Sequence, residues 1–184
     1  MELQQLLKEC KKHSVTAQKY LFDHFAASMF LVCRRYVKTD EAAEEVMMNG
    51  FLKFFNSLEK LNYVNEAATE GWLKKIMVNE CLMHLRSQNS FLLFTMEDVP
   101  EIILDEEIIS RLSAGEILKL ITQLPLGYRT VFNLYEMENH SHKEIALLLG
   151  ITEGTSKSQL NKAKGLLQQL LIKNDSDYER RKYK

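Results

Sequence analysis

Residues Ser141–Leu167, SHKEIALLLGITEGTSKSQLNKAKGLL, read as two short helices joined by a tight turn, the second one basic. Ser141 can cap the first helix while Glu144, three residues on, reaches back to the cap's own N–H, which makes a capping box. Ile145, Leu148 and Leu149 form an inward stripe at helical spacing, leaving His142 and Lys143 outside. Gly150 falls just past the last periodic residue, where a left-handed backbone ends a helix without a Cβ penalty. Ile151 plugs the turn, and Thr152 offers a second N-cap. Leu160, Ala163, Leu166, Leu167 and Leu170 supply the next helix with an apolar face. Opposite it this reading places Ser156, Lys157, Gln159, Lys162 and Lys164, with no acid between Glu153 and Asp175.

Two such helices, with small Ala146 facing the Gly150 turn, form a helix-turn-helix, whose second helix enters the DNA major groove. The side chains suit that task. Gln159 can pair bidentately with adenine, Ser156 can donate or accept, and the lysines suit phosphate or guanine. A helical hairpin with a merely solvated polar face is the competing reading. Two caps, the glycine turn and an acid-free basic face favour DNA binding.

The rest of the chain is compatible with a helical, globular protein. Of its 184 residues 46% are hydrophobic and 27% charged, enough for packed cores. Only 7 glycines and 2 prolines interrupt it, and neither β-type alternation nor hairpin dipeptides occur, so the expected class is all-α. No signal-peptide pattern and no apolar run of membrane-span length occur, so a cytoplasmic protein without membrane insertion is expected. The net charge of −1 hides an uneven distribution. Residues 96–118 carry seven acids and one base, whereas 119–184 carry eleven bases and seven acids. Two nucleic-acid surfaces joined by an acidic connector would have this pattern.

In chain order, a short amphipathic helix covers 2–12, and Ser14 starts a second helix reaching about Lys38. Its inward residues are Tyr20, Leu21, Phe25, Met29, Val32, Cys33 and Tyr36. Thr39 or Asp40 opens a third, with Val46, Leu52, Phe55 and Leu58 inward and Phe51 and Phe54 flanking. A fourth spans about Ala67–Gln88, burying Trp72, Leu73, Ile76, Leu82 and Leu85. The stretch NSFLLFTMEDVPEIILDEEII at 89–109 breaks the periodicity and contains six acids and no base. Helical spacing returns near Ser110, stops at Pro125 and restarts near Tyr128. Two small helical domains at 1–89 and 111–173 are therefore expected. An acidic linker at 90–110 joins them, and a polar, frayed tail follows at 174–184.

Leu124–Lys164 resembles the fourth conserved region of a bacterial extracytoplasmic-function (ECF) sigma factor. Ala43–Phe55 (AEEVMMNGFLKFF) and Gly71–Arg86 (GWLKKIMVNECLMHLR) resemble its second region. The resemblance implies a non-enzymatic transcription initiation factor, with core RNA polymerase, promoter DNA and an anti-sigma factor as partners and no cofactor. The third helix would bind polymerase through Glu44, Glu45, Met48, Asn49 and Phe51. Trp72, Lys74, Lys75, Asn79 and Arg86 would hold the melted downstream promoter element by cations and stacking. The upstream duplex would be read by Thr152, Thr155, Ser156, Lys157, Gln159, Lys162 and Lys164, with His142, Lys143 and Arg129. The family usually has glutamine and an acid at Met48 and Asn49, an apolar residue at Ser156, and arginines at 159, 162 and 164. Lysine lacks arginine's fork, which favours phosphate positioning over guanine readout.

Three other readings are weaker. Cys10–His13 and Cys81–His84 have the spacing of metal-ligand pairs, but the cysteines fall on helical faces that need apolar filling. A one-component helix-turn-helix regulator with an N-terminal ligand or dimerisation bundle would not need the aromatic and basic helix at 67–88. For an enzyme, no Gly-rich phosphate loop and no nucleophile beside a base are present.

Overall fold

A computed structural model describes residues 2–61, 63–88 and 114–182, with side chains in the last block covering 115–173. The expected acidic linker lies outside the described residues. Two compact units divide at Gln88, and every described element is helical or a helical turn.

The N-terminal unit contains α1 (Leu3–Lys11), α2 (Val15–Tyr36), α3 (Asp40–Ser57) and α4 (Glu66–Ser87), with a 3₁₀ turn at Leu58–Lys60. Each long helix starts on a side-chain cap that satisfies an otherwise orphaned N–H. Ser14 accepts from Ala17 N at 3.4 Å, Thr39 from Ala42 N at 3.2 Å, and Asn65 from Ala68 N at 2.8 Å. Arg34, in the last turn of α2, reaches Asp40 Oδ1 at 2.5 Å and so ties the end of one helix to the start of the next.

Helices α2, α3 and α4 pack on one another around Leu21, Phe25, Met29, Phe51, Phe54, Leu73 and Met77. On α3 the buried stripe is Ala43, Val46, Met47, Gly50, Phe51 and Phe54, a regular i, i+3, i+4, i+7 progression. Phe51 and Phe54 are therefore central, and Leu52, expected inward, is 59% exposed. Tyr20 is likewise outward, since Leu21 and Phe25 take the core side of α2. Trp72 and Ile76 are half-buried, and Met77, Val78 and Cys81 fill the α4 core instead.

The C-terminal unit contains α5 (Ala114–Gln123), α6 (Leu126–Phe132), a π-helical turn (Asn133–Met137), α7 (His142–Leu149) and α8 (Glu153–Lys182). Pro125 does separate α5 from α6, but α6 begins at the very next residue rather than near Tyr128. Its core joins Leu120, Ile121, Leu124 and Tyr128 to Ala163, Leu167 and Leu171 on α8. The backbone of α8 continues through the expected tail as far as Lys182.

Candidate nucleic-acid interface

The local geometry of the helix-turn-helix follows from short-range chemistry. Glu144 N donates to Ser141 Oγ at 3.3 Å, and Ser141 N donates to Glu144 Oε2 at 2.8 Å, closing the capping box. Gly150 ends α7 at φ 67°, the left-handed conformation that the turn demands. Thr152 Oγ1 then accepts from Thr155 N at 3.0 Å and starts α8.

The outward face of α8 differs from the expected one. Lys157 and Asn161, one turn apart, are exposed, and Thr155, Ser158 and Lys162 flank them half-buried. Ser156 is fully buried at 0% and Gln159 is 5% exposed, so neither can reach a base edge. At 100° per residue, position 156 lies within about 40° of Leu160 and Ala163, so its angle puts it in the apolar stripe whatever its polarity. Asn161, exposed one turn beyond Lys157, is absent from the expected face, and the same wheel places it there.

Arg129 is also corrected. It is 1% exposed, and its Nη1 donates to the Thr122 carbonyl at 3.1 Å, so it stitches α6 to α5 from inside the unit. Lys143 and Thr152 are exposed as expected. Lys164 is only partly available, with Nζ 2.7 Å from Glu136 Oε1 and 6.0 Å from the centroid of the Tyr135 ring.

His142 stands where α7, α8 and the π-helical turn meet. Its ring stacks on Tyr135 with centroids 4.6 Å apart and planes at 23°, and its Nδ1 lies 2.9 Å from Ser156 Oγ. Burial, with help from Lys157 and Lys164 and against Glu153, holds the imidazole below its ordinary pKa.

In the N-terminal unit, Lys75, Asn79 and Arg86 are exposed along one strip of α4 with Gly71 and Met83. Trp72 borders this strip but leans on Phe54, with ring centroids 5.2 Å apart, so it anchors α4 to α3. Lys74 projects to the side, about a quarter turn from Lys75.

On α3, Glu44, Glu45, Met48 and Asn49 are exposed. Phe51 is 2% exposed and packs on Phe22 at 4.7 Å, so it supports this face from beneath and cannot touch a partner. Leu52, one turn beyond Met48, takes its place on the surface.

Among the described residues no three metal-ligating side chains converge, and no helix is long and apolar enough to cross a membrane. Cys10, Cys33 and Cys81 are buried free thiols that fill core space.

These two helical units correspond to two known protein regions. The family model for sigma-70 region 2 matches residues 21–91, and that for sigma-70 region 4 matches 114–167. The chain is 26% identical over 161 residues to the ECF RNA polymerase sigma factor SigM of Mycobacterium tuberculosis, covering 85% of this chain and 80% of that protein. It is 26% identical over 148 residues to the RNA polymerase sigma factor SigV of Bacillus subtilis, covering 76% and 82%. To SigW of the same organism it is 20% identical over 184 residues, covering 93% and 97%. Similar solved structures include CnrH bound to the cytosolic domain of CnrY, with TM-score 0.48, 17% identity and coverage of 91% and 95%. Another is RpoE bound to the anti-sigma factor NepR from Bartonella quintana, with TM-score 0.49, 20% identity and coverage of 84% and 96%. The region 2 match falls on the segment that a one-component regulator would give to a ligand module, so that alternative is not favoured. With region 2 and region 4 each on its own helical unit and ECF sigma factors among its relatives, the chain belongs to the ECF sigma factors of the sigma-70 family.

Proposed function

We propose that this protein binds core RNA polymerase in the bacterial cytoplasm and directs it to a particular class of promoter, acting by binding energy and not by catalysis. The observation that carries this reading is the pairing of a sigma region 2 match with a sigma region 4 match, each on a separate helical unit.

The exposed strip of α3, with Glu44, Glu45, Met48, Asn49 and Leu52, is the polymerase-docking face. An anti-sigma factor would compete for the same strip, because exposed Met48 and Leu52 favour being covered. Lys75, Asn79 and Arg86 on α4, with Lys74 alongside, hold the unpaired downstream element by charge and amide contacts. Trp72 serves mainly as their anchor.

On α8 the upstream duplex is read by Lys157 and Asn161, two exposed polar side chains one turn apart in the N-terminal half of that helix. Asparagine fits the N6 and N7 edge of adenine, and Lys157 suits guanine or phosphate. Thr152, Thr155, Lys143, Lys162 and Lys164 position the backbone.

The test is co-elution of the purified chain with core RNA polymerase free of other sigma factors, followed by selection from a random duplex pool with the resulting holoenzyme. Stable association and one enriched upstream sequence are expected. Asn161→Ala and Lys157→Glu should lose that selectivity and keep the association. A folded chain that does not associate with polymerase overturns the reading.

A further inference from the structure

We propose that His142 and Ser156 form a positioning pair that sets the recognition helix α8 against the duplex, the imidazole engaging α8 and not the DNA. The inference rests on the reading above that α8 is the DNA-reading helix. It explains why a polar side chain occupies a fully buried place in a stripe otherwise made of Leu160, Ala163 and Leu167. A buried hydroxyl is costly unless it is hydrogen-bonded, and the imidazole nitrogen 2.9 Å away is its side-chain partner.

The ring is held from three sides. Tyr135, from the π-helical turn, stacks on one face at 4.6 Å. Ser156 engages Nδ1, and the backbone of α7 starts at His142 itself. The same turn carries Glu136, which is committed to Lys164 on α8. Lys164 also lies over Tyr135, at 6.0 Å from the ring centroid. The first turn of α7, the turn and the start of α8 are thereby locked into one unit. Lys157 is only one residue beyond Ser156 in this unit, so rotation of α8 would move it across the groove.

The charges around the ring favour its neutral form. Lys157 and Lys164 from α8 oppose protonation, only Glu153 favours it, and Glu144 on its own helix is engaged by Ser141. The positive end of the α7 dipole acts in the same sense as the lysines. In the tautomer proposed for neutral His142, the Nδ1 atom accepts and the Ser156 hydroxyl donates.

The proposal is tested on full-length protein in two ways. The first needs no DNA. Nitrogen NMR of the imidazole should show Nδ1 as an unprotonated acceptor above pH 7, and Ser156→Ala should shift its resonance. The second uses holoenzyme and the upstream duplex that wild type selects from a random pool. His142→Ala and Ser156→Ala should each weaken binding about three- to tenfold, and the double variant by no more than either alone. His142→Asn, whose side-chain oxygen falls near the position of Nδ1, should restore most of the affinity. Relative to His142→Asn, wild-type affinity should fall from pH 7.5 to pH 5.5.

A rise instead would make the ring a phosphate contact and overturn the proposal. So would additive losses in the cycle, or an Nδ1 resonance indifferent to Ser156→Ala. If wild-type holoenzyme selects no duplex, the promoter reading fails, and the nitrogen resonance alone decides the pair.

Discussion

Lys164 Nζ sits 2.7 Å from Glu136 Oε1, so one of the lysines on the recognition helix is already matched to a carboxylate of its own protein. Both side chains are over a third or nearly a third exposed, 38% and 33%, so the pair itself adds little to stability. Its consequence is for DNA binding. An unmatched lysine that meets a phosphate releases a counterion, whereas Lys164 must first leave Glu136.

Lys157→Ala should therefore lower the slope of log affinity against log salt by about 0.9 for an upstream duplex. Lys164→Ala should lower it by clearly less, and Glu136→Gln should raise it. Equal slopes for the two lysine variants in a salt titration of holoenzyme binding would show that Glu136 does not hold Lys164.

Gly50 on α3 faces Met77 on α4 so closely that an added Cβ would lie 2.9 Å from Met77 Cε and nearer still to its sulfur. Met77 is fully buried, so its flexible end must move within the core to make room. Gly50→Ala gains about 1 kcal/mol of helix propensity but overpacks the core at a cost of about 1–3 kcal/mol. Net destabilisation of the N-terminal unit is expected in urea unfolding, with partial recovery when Met77→Val is added. A stabilised single variant would show that α3 and α4 can separate there without cost.

Ser141 alone supplies the cap of α7, accepting from Glu144 N while Glu144 reaches back. Ser141→Ala should cost about 1 kcal/mol of stability in the C-terminal unit, and Ser141→Asp much less. Thermal unfolding of both variants, followed by circular dichroism, measures the difference.

The three thiols should be inert in the folded protein. Burial, reinforced by Glu9, pushes Cys10 up to about 11. A hydrogen bond with Cys33, together with burial, pushes Cys81 well above its ordinary value. An aromatic disulfide reagent at pH 8 should label none of them quickly, and all three once urea unfolds the chain. A thiol whose folded pKa is raised contributes stability that is complete below its unfolded pKa of about 9 and is lost as pH climbs through the folded value. Urea midpoints should consequently fall between about pH 9 and pH 11.

Features set by a few neighbouring residues were legible in the sequence. The capping box, the left-handed Gly150, the Thr39 and Thr152 caps and the stop at Pro125 each depend on contacts within about four residues. Long apolar spacing identified the helices. The family resemblance drew on the same stretches, Ala43–Phe55, Gly71–Arg86 and Leu124–Lys164.

The errors share a different cause. Polarity alone points Ser156, Gln159 and Arg129 outward and Leu52 inward, yet the first three are buried and Leu52 is exposed. Which arc of a helix is buried is decided by the helices that pack against it, and a side chain inside that arc is buried whatever its chemistry. Arg129 is tolerated there because the Thr122 carbonyl accepts its guanidinium, and Ser156 because His142 is 2.9 Å away. By itself the sequence determined the all-helical class, the caps and turn of the helix-turn-helix, and the family. Only the tertiary structure decided that α8 exposes Lys157 and Asn161 and buries Ser156 and Gln159, because a helix's outward face is whatever its partners leave uncovered.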